Sequence, residues 1–98
     1  MNSFITQLLE DGLTLTVSMK DGKLVYDLET GMKSECIVTE LDNGILHLSG
    51  RYDWEEDYDT NEHTYKDFIW HVYETCHHGR EYCSAGWSEL LDKYNIPL

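Results

Sequence analysis

The sequence predicts an α+β domain: a short N-terminal helix, a four-stranded antiparallel meander, and two C-terminal helices packed on one face of the sheet. Three observations predict it. Apolar residues alternate with period two through the first half of the chain, and Asp21-Gly22 and Asn43-Gly44 interrupt that alternation as hairpin turns. Apolar residues recur at helical spacing at both ends. The chain has 98 residues, enough for one hydrophobic core and too few for a second, so residues 1–98 are read as one domain.

Each element follows from local pattern. Ser3 stands where an N-cap would, and Phe4, Ile5, Leu8 and Leu9 then recur at helical spacing up to Gly12, giving a helix over about residues 3–11. Leu13, Leu15, Val17 and Met19 alternate with Thr14, Thr16 and Ser18, the pattern of a half-buried strand. After the Asp21-Gly22 turn, Leu24, Tyr26 and Leu28 form the return strand, which Thr30-Gly31 ends. A third strand over about residues 35–41 leads into Asn43-Gly44. A fourth is expected from Ile45 to about Trp54, with Leu46, Leu48, Tyr52 and Trp54 on one face. Leu13, Leu15, Val17, Leu24, Tyr26, Leu46 and Leu48 are the expected core of the sheet.

Asp59 with Glu62 three residues later resembles a capping box. Tyr65, Phe68, Ile69, Val72 and Cys76 then share a helical face, which predicts a helix over about 60–78 that Gly79 stops and that packs on the sheet. A last helix carries Trp87, Leu90, Leu91 and Tyr94, and Pro97 prevents its continuation.

Charge is the strongest functional signal. Seven Lys and Arg face nineteen Asp and Glu, a formal net charge of −12. Such a surface repels nucleic acid and anionic lipid and favours basic partners. Aromatic residues at 12% argue against a disordered chain. Three cysteines, Cys36, Cys76 and Cys83, form no disulfide framework and suit a reducing compartment. The first residues lack the basic and apolar regions of a signal peptide, and no apolar run approaches membrane-spanning length. The expected location is the cytoplasm.

The acidity peaks in RYDWEEDYDTNE, residues 51–62, which has a net charge of −5 within twelve residues. Asp53, Glu55, Asp57 and Asp59 are spaced by two. In an extended chain they would line one side at steps of roughly 6–7 Å, comparable to the spacing of phosphates along a nucleic-acid strand. Trp54 and Tyr58 would face the other way and anchor the segment. Asp53, Trp54, Glu55, Glu56, Asp57, Tyr58, Asp59 and Glu62 are therefore the candidate partner-binding residues. Carboxylates pair with arginine as phosphates do. The plainer alternative is a solvated strand end whose charges keep the sheet edge from aggregating. Calcium fits less well: Asp53, Glu55, Asp57, Asp59 and Asn61 match alternate positions of an EF-hand loop, but Tyr58 stands where glycine is required and Thr64 where glutamate is.

A second cluster, His71, Cys76, His77, His78 and Cys83, contains zinc-ligand types without the close cysteine pair of standard fingers. A zinc-binding domain built on residues 71–83 stays open as an alternative. The favoured reading is ordinary histidines near a helix C-terminus, with no metal or cofactor. No Walker loop, nucleophile elbow or zinc-protease motif occurs, and the expected function is not enzymatic.

The opening helix over 3–10, the turns at Asp21-Gly22 and Asn43-Gly44 and the acidic run from Asp53 to Glu62 together resemble small acidic phage-encoded anti-defence proteins, in particular the anti-CRISPR proteins that block Cas9. The resemblance is one of overall design across the chain, without a shared motif. It implies an inhibitor that mimics DNA and occupies a basic surface of a host CRISPR nuclease or other nucleic-acid-binding protein in the host cytoplasm. An anti-restriction protein fits the same design, as does a phage protein with another target. A small acidic structural or adaptor module is the alternative of a different class.

Overall fold

A computed structural model of the chain describes residues 1–30, 36–50, 53–76 and 83–96. Helix α1 (Ser3–Glu10) is followed by strands β1 (Thr16–Lys20), β2 (Lys23–Asp27), β3 (Ile37–Glu40), β4 (Ile45–Ser49) and β5 (Glu55–Asp59), then helices α2 (Tyr65–Cys76) and α3 (Ala85–Lys93). The strands form one antiparallel sheet in the order β1-β2-β3-β4-β5. The α+β class and the meander agree with the sequence reading, with one strand more than expected.

The turns explain the meander. Asp21 and Gly22 have φ of 52° and 77°, and Asn43 and Gly44 have 59° and 79°. Both central residues are left-handed in each pair, which matches the twist of the strands that the turn joins. The additional strand arises because the expected fourth strand is broken. Asp53 takes φ 57°, and Gly50 N–H donates to the Trp54 carbonyl at 3.0 Å. The chain thus reverses between Gly50 and Trp54, and the acidic segment returns as β5 beside β4. Arg51 and Tyr52 lie outside the described residues.

Register decides which face is buried. The row Val17, Tyr26, Val38, Leu48, Glu56 crosses the sheet, and the row Glu40, Leu46, Tyr58 lies beside it on the same face. Tyr26, Val38, Leu46 and Leu48 on this face are fully buried, in one cluster with Ile5 and Leu8 of α1, Phe68, Ile69 and Val72 of α2, and Trp87, Leu90 and Leu91 of α3. Helices therefore cover one face, as expected. The opposite face carries half-buried Val25, Ile37, Thr39, Ile45 and His47, and no described helix covers it.

Several expectations are corrected. Leu13 is buried in the loop before β1, Leu15 and Leu24 are half-buried, and Val17 and Met19 are 48% and 63% exposed. The β1–β2 hairpin extends beyond the cover of the helices, so apolar alternation on β1 does not become burial. The cap of α1 is Asn2, whose side chain accepts from Phe4 N–H, and not Ser3. Asp59 caps a short 3₁₀ turn over Thr60–Glu62, accepting from Asn61 N–H. The reciprocal box lies at α2 itself: Asp67 N–H donates to Thr64 Oγ1, and Thr64 N–H donates to Asp67 Oδ2. Residue Gly31, the start of the third strand at Glu35, the stop at Gly79 and Pro97 lie outside the described residues. No helix among the described residues is long and apolar enough to cross a membrane.

Candidate functional site: an acidic edge strand

Strand β5 forms one edge of the sheet and pairs only with β4 among the described strands. Its five residues, Glu-Glu-Asp-Tyr-Asp, divide by pleat. Tyr58 points inward and is 6% exposed, packed against Phe68 with ring centroids 5.5 Å apart. Burial, with Asp67 and Glu56 nearby, pushes its hydroxyl up to about 12, so the phenol stays protonated. Glu56 also faces inward and pairs with His71 of α2. Glu55 and Asp57 face outward, and their side chains are 66% and 65% exposed. Asp59 follows on the same outer side, half-buried by its capping role.

His47 of β4 belongs to no sequence motif and is central to this edge. It lies directly opposite Asp57 on the outer face. Its Nδ1 is 2.8 Å from Asp57 Oδ1 and its Nε2 is 3.0 Å from Glu55 Oε1. Both nitrogens can donate only when the imidazole is protonated. The hydrogen bond to Asp57 accordingly raises its pKa above 6.5; burial opposes the rise and Glu55 reinforces it. The signal in the sequence was pleat parity: His47 falls between inward Leu46 and Leu48, and the turn brings Asp57 opposite.

The candidate residues are thus brought together but not all to one use. Glu55 and Asp57 form the exposed outer row, and Asp53 and Glu62 are exposed near its two ends. Glu56 and Tyr58 serve the inner face, and Trp54 is half-buried against the core. As strand residues 55–59 do not form the loop that calcium coordination would require. Around Tyr58, His63 stacks at 4.4 Å and His71 tilts at 5.1 Å, so histidines flank β5 on both faces.

Of the 71–83 cluster, only the His71 and Cys83 side chains are among the described residues. His71 is engaged with Glu56, and Cys83 is half-buried against the core. His77 and His78 lie outside the described residues, as does the Cys76 side chain. Among the described residues no group of three or more His, Cys, Asp or Glu is placed to hold a metal ion. An open groove of about 300 Å³ lies between the start of α1 and the β3–β4 turn. Its polar groups bond one another: Asn2 N–H to Glu40, Asn2 Nδ2 to Thr60 Oγ1, and the Thr60 hydroxyl to the Gly44 carbonyl.

No family model, curated protein or solved structure matches the chain.

Proposed function

We propose that the protein is an inhibitory binding protein of the anti-defence kind, which presents the β5 edge as a nucleic-acid mimic to a basic surface of a CRISPR nuclease or another nucleic-acid-binding protein. One observation carries this reading: Glu55 and Asp57 stand on one side of a regular edge strand, two residues apart and well exposed, while the same strand is tied into the core by Tyr58. Strand geometry sets their separation at roughly 6–7 Å, a phosphate-like step. A rigid support lowers the ordering cost of binding. Asp53 in the turn before the strand and Glu62 in the 3₁₀ turn after it add exposed charge near its ends, outside the strand alternation itself.

His47 refines the reading. Held between Glu55 and Asp57, it offsets one of the two carboxylates when protonated. A guanidinium from a partner would compete for the same oxygens, and the deprotonated imidazole would yield at least one of them.

The test is affinity capture from a bacterial lysate on immobilised protein, followed by elution with duplex DNA. Nucleic-acid-binding proteins that are retained and then released by DNA support mimicry. Retention of proteins that DNA does not displace favours the adaptor reading instead, and contradicts this one.

A further inference from the structure

The two edges of the sheet are treated in opposite ways. Exposed strand edges invite pairing, and proteins commonly blunt them with charge, proline or bulges. β5 carries four carboxylates in five residues. β1, at the other edge, reads Thr-Val-Ser-Met-Lys, runs in unbroken register with β2 from Thr16↔Asp27 to Lys20↔Lys23, and is exposed along its whole length.

The hairpin fixes which backbone groups are available. Asp21-Gly22 is a two-residue turn closed by Lys20 and Lys23. Such a closing pair is hydrogen-bonded, and bonded pairs alternate along the ladder. Lys20, Ser18 and Thr16 therefore bond to β2, and the N–H and C=O groups of Val17 and Met19 point to the outer edge. These residues also carry the exposed apolar side chains of the strand, at 48% and 63%.

The geometry points to a second copy of this chain as the occupant, pairing β1 to β1 antiparallel about a two-fold axis at Ser18. In that register Val17 of each copy bonds Met19 of the other, and the four apolar side chains meet on one face. On the opposite face Lys20 of one copy lies beside Thr16 of the other, whose own neighbour on β2 is Asp27. Lysine and aspartate are then two strand spacings apart, about 9.5 Å, within reach of an extended lysine, and the symmetry makes two such pairs. Residues 16–27 hold Lys20 and Lys23 against Asp21 and Asp27, so this hairpin is neutral in a chain of charge −12. Two copies of a chain this acidic can meet at this neutral strip without opposing net charge there. A five-residue edge is small beside a standard interface of about 800 Å² per partner, so the dimer is a weak one.

Sedimentation equilibrium across the micromolar to millimolar range tests this. Wild type associates reversibly to a dimer. Val17→Pro removes an outward N–H without touching the β1–β2 ladder, and Met19→Lys places a charge on the exposed apolar face. Each raises the dissociation constant by about tenfold or more, with folding checked by circular dichroism. Because Met19 is exposed, Met19→Lys serves if the proline variant does not fold. Lys20→Asp weakens the dimer, and adding Asp27→Lys restores it; within one chain these residues stand four positions apart along the hairpin and cannot compensate one another. Wild type that stays monomeric into the millimolar range overturns the proposal. So does a dimer that folded Met19→Lys leaves unchanged, or one that the double charge exchange fails to restore.

Discussion

Asp11 shows how much one residue can organise. Its side chain is only 2% exposed, and it accepts hydrogen bonds from Lys93 Nζ at 2.6 Å, Tyr94 Oη at 2.7 Å, Tyr65 Oη at 3.0 Å and Gln7 Nε2 at 3.3 Å. All three helices are joined at one carboxylate. Burial alone would raise its pKa, but the bonds from Lys93, Tyr94, Tyr65 and Gln7 outweigh it and hold it below the ordinary value of 3.8. The contribution of Asp11 to stability is therefore complete above the unfolded-state pKa, about 3.9, and is lost as pH falls through the lower folded value. Asp11→Ala should cost about 2–3 kcal/mol at neutral pH in chemical denaturation, and should flatten the fall of stability below about pH 4. His47 has the opposite sign. Its raised pKa means that its pairing stabilises fully below about 6.5 and fades as pH rises through the folded value. An NMR titration should place His47 above that value in wild type and lower it in a Glu55→Gln, Asp57→Asn variant. Neither residue was legible as a partner from the sequence. Asp11 sits at a helix end and meets Lys93 and Tyr94 more than eighty positions later, a contact that no local period encodes.

At the scale of elements, local pattern predicted most of the structure where turn chemistry was explicit. The Asp-Gly and Asn-Gly turns, α1, the apolar face of α2 and the Trp87–Leu90–Leu91 face of α3 were all legible, because each depends on residues within a few positions. The break between β4 and β5 was not. Gly50 opens the reversal, but its left-handed residue is Asp53, and aspartate tolerates that region without announcing it. Trp54 stands at the start of the return strand and packs on the core. Trp54→Ala should therefore lower thermal stability, by about 1–3 kcal/mol for a half-buried aromatic. A variant that kept full stability would contradict its packing role. The cap of α2 was also misplaced, since Asp59 and Glu62 match the motif in sequence while Thr64 and Asp67 make the bonds. Thr64→Ala should cost about 1 kcal/mol, measured by denaturant unfolding. Gly44 allows little: it has φ 79°, and a Cβ there would meet Asn61 Nδ2 at 2.5 Å. Gly44→Ala should destabilise by more than about 1 kcal/mol, in contrast to Gly22→Ala, which has the same backbone requirement but open space around it.

For the whole molecule, the excess of acid over base is distributed by the fold. Part of the acidic run is used internally, in the Glu56–His71 pair and the Asp59 cap, and the sequence could not separate these from the exposed Glu55 and Asp57, which His47 bridges on the outer face. What remains outward at β5 is a short row on a rigid edge, while the opposite edge is nearly neutral. The account of function rests on that row. The measurement that tests it most directly is the affinity of a captured partner for wild type and for a variant carrying Asp53→Asn, Glu55→Gln, Asp57→Asn and Glu62→Gln, followed as a function of salt. These side chains are exposed, so the variant should fold as wild type does. The account predicts that wild-type binding weakens steeply with salt, as charge is screened over about 8–10 Å, and that the variant binds at least about tenfold more weakly with a shallower salt dependence. Equal affinity and equal salt dependence for the two would show that the acidic row is only solvated surface, and would contradict the mimicry reading.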